Sequence, residues 1–331
     1  MKRIDIGVRP ILFFLLIVVL IALSACRVQN VITGQYYLDT ENYKEGIPKF
    51  ESIVAQSPES AKARYFLARF YLGDNLPEKA LPHFEKAVAL SPGETDYHFW
   101  LGIAQGALKQ LGAERKSYQK ALAISPKHVG ALAYLGHSYL QEGDFKNALV
   151  QYDKALKGYP FYAQVLYNRA LAYEKIGQIA KAIKAYEAYL KLYKSGSNAR
   201  RATWNLNRKG NFNYRNFLIG KRTITIESIA FKPETDVLTD DAKDSLEFLG
   251  HLMKKGKNLT LQVILYHKDN KALAKKRALA IKKHVVEFTT GLTGDRVGIS
   301  WFDQPEAMRV DGKKFYLDES VKFFTTSKDV V

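Results

Sequence analysis

Between residues 27 and 196 the apolar and small positions recur on a beat of 34 residues, marked most plainly by Pro58, Pro92, Pro126 and Pro160. Tyr37, Tyr71, Tyr139 and Tyr173 share one register of that beat, with Gln105 as the exception, and Phe50, Phe84, Tyr118, Tyr152 and Tyr186 share another. Small residues keep time with them: Gly34, Ala68, Gly102, Gly136 and Ala170, then Ala87, Ala121 and Ala155. A period in the low thirties predicts stacked helical hairpins, each too small to bury its own apolar face. The predicted units are 27–60, 61–94, 95–128, 129–162 and 163–196, each two helices joined by a turn such as Gly73-Asp74-Asn75, Gly143-Asp144 or Gly177-Gln178. The proline closes each second helix, because it donates no backbone hydrogen bond and clashes with the preceding turn. The fifth unit carries Lys194 in its place, as expected where no further hairpin follows.

This arrangement of small residue, Tyr, Ala, aromatic, Ala and Pro resembles the tetratricopeptide repeat (TPR), which implies an all-α TPR solenoid over residues 26–196. The resemblance also implies that function lies on the concave face, lined by the first helix of each pair. The matching positions are Tyr65 and Arg69, Phe99 and Ile103, Ala133 and His137, then Tyr167 and Leu171. They describe an aromatic, apolar groove that would take an extended or helical segment of another protein. The Lys and Asn pattern of carboxylate-clamping arrays is missing. The other use of these side chains would be packing against aromatics of the same chain.

After Arg222 the period changes. Thr223–Ile226 and Leu259–Leu265 alternate as strands do, Asp240–Lys254 and Lys271–Phe288 read as helices, and Val297–Trp301 and Val321–Phe324 read as further strands. That order predicts a small α/β sandwich over 223–331. Tyr266-His267-Lys268-Asp269 followed by Asn270-Lys271-Ala272-Leu273-Ala274-Lys275-Lys276-Arg277-Ala278 resembles the peptidoglycan-associating domain of the OmpA family, and Phe231, Leu238-Thr239 and Pro305 fall at further positions of its pattern. The resemblance implies that Asp269 and Arg277 clasp the ammonium and carboxylate of a peptidoglycan side chain, an opposite-charge pair suited to a zwitterion. The chain departs from the pattern at Tyr266 and Lys268, in a shorter connection before Asn270, and at Asp318-Glu319-Ser320 in place of an arginine pair. A domain so altered would either keep wall binding or serve protein contact.

The N-terminus reads as a leader. Lys2 and Arg3 precede an unbroken apolar run from Ile11 to Leu23, too short for a membrane span of about 20 residues. Leu23-Ser24-Ala25-Cys26 follows, resembling the lipobox of bacterial lipoprotein signals, and Cys26 is the only cysteine of the protein. The expectation is a signal peptide over 1–25 and acylation of the Cys26 thiolate, which anchors the chain to a membrane. An uncleaved anchor with an incidental cysteine is the other reading. With Arg27 and Val28 rather than Asp after the cysteine, the resemblance implies an outer-membrane lipoprotein facing the periplasm.

The chain has 50 Lys plus Arg against 33 Asp plus Glu, a formal charge of +17. On an exported protein the expected counter-charges are lipid headgroups or wall polymers, and no nucleic acid is expected. The excess concentrates in a predicted basic, aromatic linker at 197–222, where Arg200, Arg201, Arg208, Lys209 and Arg215 interleave with Trp204, Phe212, Tyr214 and Phe217. No His pair at metal spacing, nucleophile elbow, phosphate loop or dinucleotide fingerprint occurs, so no catalytic residue, metal or cofactor is expected. Together these features predict a non-enzymatic envelope lipoprotein. Its groove would recruit an envelope protein, and its terminal domain would contact peptidoglycan or an envelope complex of secretion, motility or wall remodelling. The alternative is a structural tether between outer membrane and peptidoglycan, with the repeats as spacer.

Overall fold

The computed structural model describes residues 28–327; the expected leader and Cys26 lie outside the described residues. The chain divides into two compact units, Met1–Pro160 and Phe161–Val331.

In the first unit the described residues form eight helices. They are α1 (28–39), α2 (Tyr43–Gln56), α3 (Ala61–Gly73), α4 (Pro77–Leu90), α5 (Thr95–Ala107), α6 (Leu111–Ile124), α7 (Val129–Gln141) and α8 (Phe145–Gly158). The 34-residue beat thus resolves into four antiparallel hairpins whose boundaries repeat almost without slip. Each of Pro58, Pro92, Pro126 and Pro160 directly follows the C-cap residue of a second helix, as its missing donor requires. Several first turns are capped by side chains that accept an otherwise orphaned N–H, at Ser60, His128 and Asp144.

The repeating aromatics fill the space between paired helices. Phe50, Phe84, Tyr118 and Tyr152 are fully buried. Glycine at 102 and 136 lets the rings approach: a Cβ at Gly102 would stand 2.4 Å from the Tyr118 ring, and one at Gly136 would stand 2.5 Å from that of Tyr152. The stripes are core, and the close helix contact is what the small residues of the beat provide.

The second unit opens with the fifth hairpin, α9 (Ala163–Lys175) and α10 (Ile179–Leu192), followed by α11 (Gly196–Asn207). Strands β1 (Tyr214–Ile219) and β2 (Arg222–Glu227) form an antiparallel hairpin. Then come α12 (Asp240–Lys255), β3 (Leu259–His267), α13 (Lys271–Phe288), β4 (Val297–Phe302), β5 (Glu306–Val310), β6 (Lys313–Leu317) and β7 (Glu319–Ser327). β3 is the centre of a three-stranded sheet, parallel to β4 and antiparallel to β7. Its alternation buries Leu261, Val263 and Leu265 against Leu246, Leu249 and Met253 of α12 and Ala274, Ala278, Ile281 and Val285 of α13. Two helices on a mixed sheet form the predicted α/β layers.

The stretch 197–222 is not a linker. Ala199, Ala202, Thr203 and Leu206 bury one face of α11, and Asn207 donates to the Asn211 and Tyr214 carbonyls at 2.9 and 2.8 Å. Asn211 and Asn213 both donate to Glu187 of α10, and Asn205 donates to the Tyr186 hydroxyl. Arg215 makes a two-pronged pair with Glu306 at 2.8 and 2.9 Å and is 6% exposed. Three of its basic residues pair with carboxylates of the same chain: Arg208 with Asp311, Lys209 with Glu174, Arg215 with Glu306.

Candidate protein-binding surface

Neighbouring first helices of the first unit meet through aromatic side chains. Tyr65 of α3 stacks on Tyr97 of α5 with ring centroids 4.8 Å apart. Arg69, one turn later, donates to the Tyr65 hydroxyl at 2.7 Å and lays its guanidinium 3.5 Å from the centroid of Trp100. Guanidinium stacking fixes both side chains with little residual freedom. Phe99 then meets His128 at 4.9 Å and Tyr134 of α7 at 5.7 Å. His137 hydrogen-bonds the Tyr152 hydroxyl at 2.8 Å, and burial pulls its pKa down to about 4, so the ring is neutral at pH 7.

The positions expected to line the groove therefore separate by exposure. Tyr65 and Phe99 are 5% and 9% exposed and belong to the packing between hairpins. Arg69, Ile103 and His137 are half-buried, and Ala133 is buried. In the second unit Tyr167 is 7% exposed, with its ring against Tyr186 and Tyr189, and Leu171 is half-buried. Two side chains that sequence reasoning did not select, Trp100 and Tyr134, add aromatic surface beside these positions; Trp100 is half-buried and Tyr134 is 39% exposed. Both directly neighbour a selected position that is buried, Phe99 and Ala133, and an aromatic residue beside the buried one was the available signal. A cleft opens between α5, α6 and α7, lined by Ile103, Tyr134 and Gln141 among others.

In the second unit Asp269 and Arg277 differ sharply. Asp269 is exposed at the end of β3, in the left-handed region with φ 58°, and its N–H donates to the Asp303 carbonyl. Arg277 is 2% exposed. It donates to the Thr235 carbonyl at 2.8 Å and to Glu319 at 2.8 Å, and it lies 4.7 Å from the Phe231 ring centroid. His267 meets the other Glu319 oxygen at 3.1 Å. The guanidinium already holds a carboxylate from β7 of its own chain.

Among the described residues no three His, Cys, Asp or Glu side chains converge as a metal site, and no helix is long and apolar enough to cross a membrane.

The tetratricopeptide-repeat family model matches residues 33–95, 71–129 and 135–197, so the tandem hairpins are TPR repeats. Among solved structures, PilF of Pseudomonas aeruginosa aligns with a TM-score of 0.52 at 17% identity, covering 56% of this chain and 85% of that one. YrrB, described as a TPR protein with an unusual peptide-binding site, aligns at 0.45 and 18% identity over 54% of this chain and 88% of its own. MamA aligns at 0.45 and 22% identity, over 48% and 86%. No protein of curated function matches the chain in sequence.

Proposed function

We propose that this chain is an envelope lipoprotein that acts as a protein-binding scaffold. Cys26 would hold it to the outer membrane on the periplasmic side, and the first-helix face of its repeats would receive a segment of another envelope protein. Its terminal domain would contact peptidoglycan or an envelope complex.

The observation that carries the scaffold reading is the Arg69–Trp100 stack beside Ile103 and the exposed Tyr134 ring. Rigid aromatic and guanidinium side chains on a fixed helical frame are what binding hot spots are made of, because little side-chain freedom is lost on association. The apolar run before Cys26 and the lipobox-like Leu23-Ser24-Ala25-Cys26 support the membrane location. The tether reading draws less support, since the Arg277 guanidinium is engaged by Glu319.

The test is co-purification from detergent-solubilised membranes. The intact chain should carry a partner. Trp100→Ala with Tyr134→Ala should lose it while the far-UV circular dichroism of the variant stays unchanged. A variant that keeps its partner at wild-type yield would sink the groove reading. Cys26→Ala should move the protein from the membrane to the soluble fraction.

A further inference from the structure

The third hairpin departs from the register at a pair of facing positions. The buried second-helix position occupied by Gly46, Ala80, Ala148 and Ala182 in the other hairpins holds Glu114 here, on the same 34-residue register. The first-helix position that is Leu38, Leu72 and Leu140 in the first, second and fourth hairpins, and Glu174 in the fifth, is Gly106 here. The two changes compensate in space: a Cβ at Gly106 would stand 2.2 Å from Glu114 Oε2. Room for the carboxylate is made by deleting a side chain opposite it.

That carboxylate is poorly served by its own fold. Glu114 is 6% exposed, and among the described residues no Lys, Arg or His nitrogen lies within ion-pair distance of it. Its sequence neighbour Arg115 is turned to Glu142. Ser138 of α7, 2% exposed, is set beside the carboxylate and favours its charged form, and its hydroxyl has no other hydrogen-bond partner among the described residues. Burial accordingly pushes the Glu114 carboxyl above its ordinary range. In a protein with this excess of Lys and Arg, a buried carboxylate without a cation is costly unless something else supplies one.

Glu114 and Ser138 are not sealed in. Both line the cleft between α5, α6 and α7, together with Gly106, Tyr118, Tyr134 and Gln141. The lining holds one carboxylate, a hydroxyl, an amide and two phenol rings, with no Lys or Arg. His137, which also borders the cleft, is held neutral by burial. This inventory accepts hydrogen bonds and offers ring faces to a cation.

We propose that this cleft receives the ammonium of a lysine side chain from the partner segment that lies along the first-helix face. The assignment rests on the scaffold reading above and adds its specificity determinant. Lysine fits better than arginine because the Glu114 oxygen is set behind Gly106 with a single hydroxyl beside it. A point charge on a thin stem reaches such an acceptor, whereas a planar fork needs two parallel carboxylate oxygens presented edge-on. The stem would lie along the exposed Tyr134 ring.

The register supplies a folded control. Glu114→Ala restores the residue carried by three other hairpins, so this variant should fold with stability equal to or above that of the wild type. The experiment is an NMR titration of the mature chain with N-acetyl-lysine N-methylamide, set against the norleucine analogue, which has the stem without the ammonium. The lysine probe should shift the Ser138 and Gln141 amide signals saturably. The norleucine probe should bind about tenfold more weakly, the ratio that ~1.4 kcal/mol of charge recognition gives. In Glu114→Ala that difference should vanish. Equal binding of the two probes would overturn the lysine assignment while leaving a groove for apolar segments. No shift at these residues with either probe would also overturn it, and the groove itself would then be judged by its own co-purification test. A difference that survives in Glu114→Ala would place the ammonium elsewhere and equally refute the assignment.

Discussion

Arg277 donates to Glu319 across 2.8 Å while its guanidinium covers the Phe231 ring, so the cation matched to a wall-binding position is embedded in the core edge of the terminal domain. Glu319 is 53% exposed at its side chain and Arg277 only 3%. The arginine is therefore the structural partner of the two.

Arg277→Ala should lower stability by about 2 kcal/mol, through lost packing and the lost bonds to Thr235 and Glu319. Asp269→Ala should cost only about 0.5–1 kcal/mol, the price of a non-Asp side chain at φ 58°. Thermal unfolding of the two variants checks the contrast, and equal effects would contradict it.

The buried Arg215–Glu306 pair joins β1 to β5. Arg215→Met should destabilise by about 3–5 kcal/mol, because it strands the Glu306 carboxylate at 5% exposure with only Ser320 left to donate to it. Adding Glu306→Leu should recover a large part of that loss, and a denaturant-based double-mutant cycle reads the difference.

Gly102→Ala should cost about 1–3 kcal/mol, since the new methyl meets the fully buried Tyr118 ring. Gly112→Ala, with nothing within 4 Å of the new Cβ, should instead stabilise by about 0.5–1 kcal/mol. Opposite signs from two glycines one helix apart would be visible in a single melting experiment.

The His137 pKa is lowered to about 4 by burial, against roughly 6.5 in the unfolded chain. Between those values the unfolded state binds the extra proton. The stabilising contribution is complete above pH 6.5 and is lost as the pH falls through 4, on the order of 3 kcal/mol in all. Glu114, whose carboxyl is raised, works in the opposite sense. The slope assigned to His137 is therefore the difference between wild type and His137→Gln over that window.

The helical half was legible because its period is covalent: a proline every 34 residues fixes where each hairpin ends, and the aromatics between must fill the space. The predicted helix Lys271–Phe288 and strand Val297–Trp301 match α13 and β4 for the same reason of clean periodicity. The stretch 197–222 reads as a linker because its basic run suggests external anions, whereas Arg215 and Lys209 take buried or half-buried carboxylates supplied from far along the chain. The β5–β6 hairpin was missed although Asp311-Gly312, both at positive φ, is a strong turn signal; its strands are short and mostly polar, so alternation was weak. Groove positions were only partly legible. A register gives the position on a helix but not which of two adjacent aromatics turns inward, and so Phe99 was chosen over Trp100.

The central claim is that the first-helix face of the repeats holds another protein. Site-specific photo-crosslinking in living cells tests it most directly, with the reactive side chain placed at Trp100 or Tyr134 and, as control, at the exposed Lys120 of the second helix α6. The account predicts one discrete crosslinked species from positions 100 and 134 and none from 120. Crosslinks of equal yield from all three positions, or none from any, would contradict it.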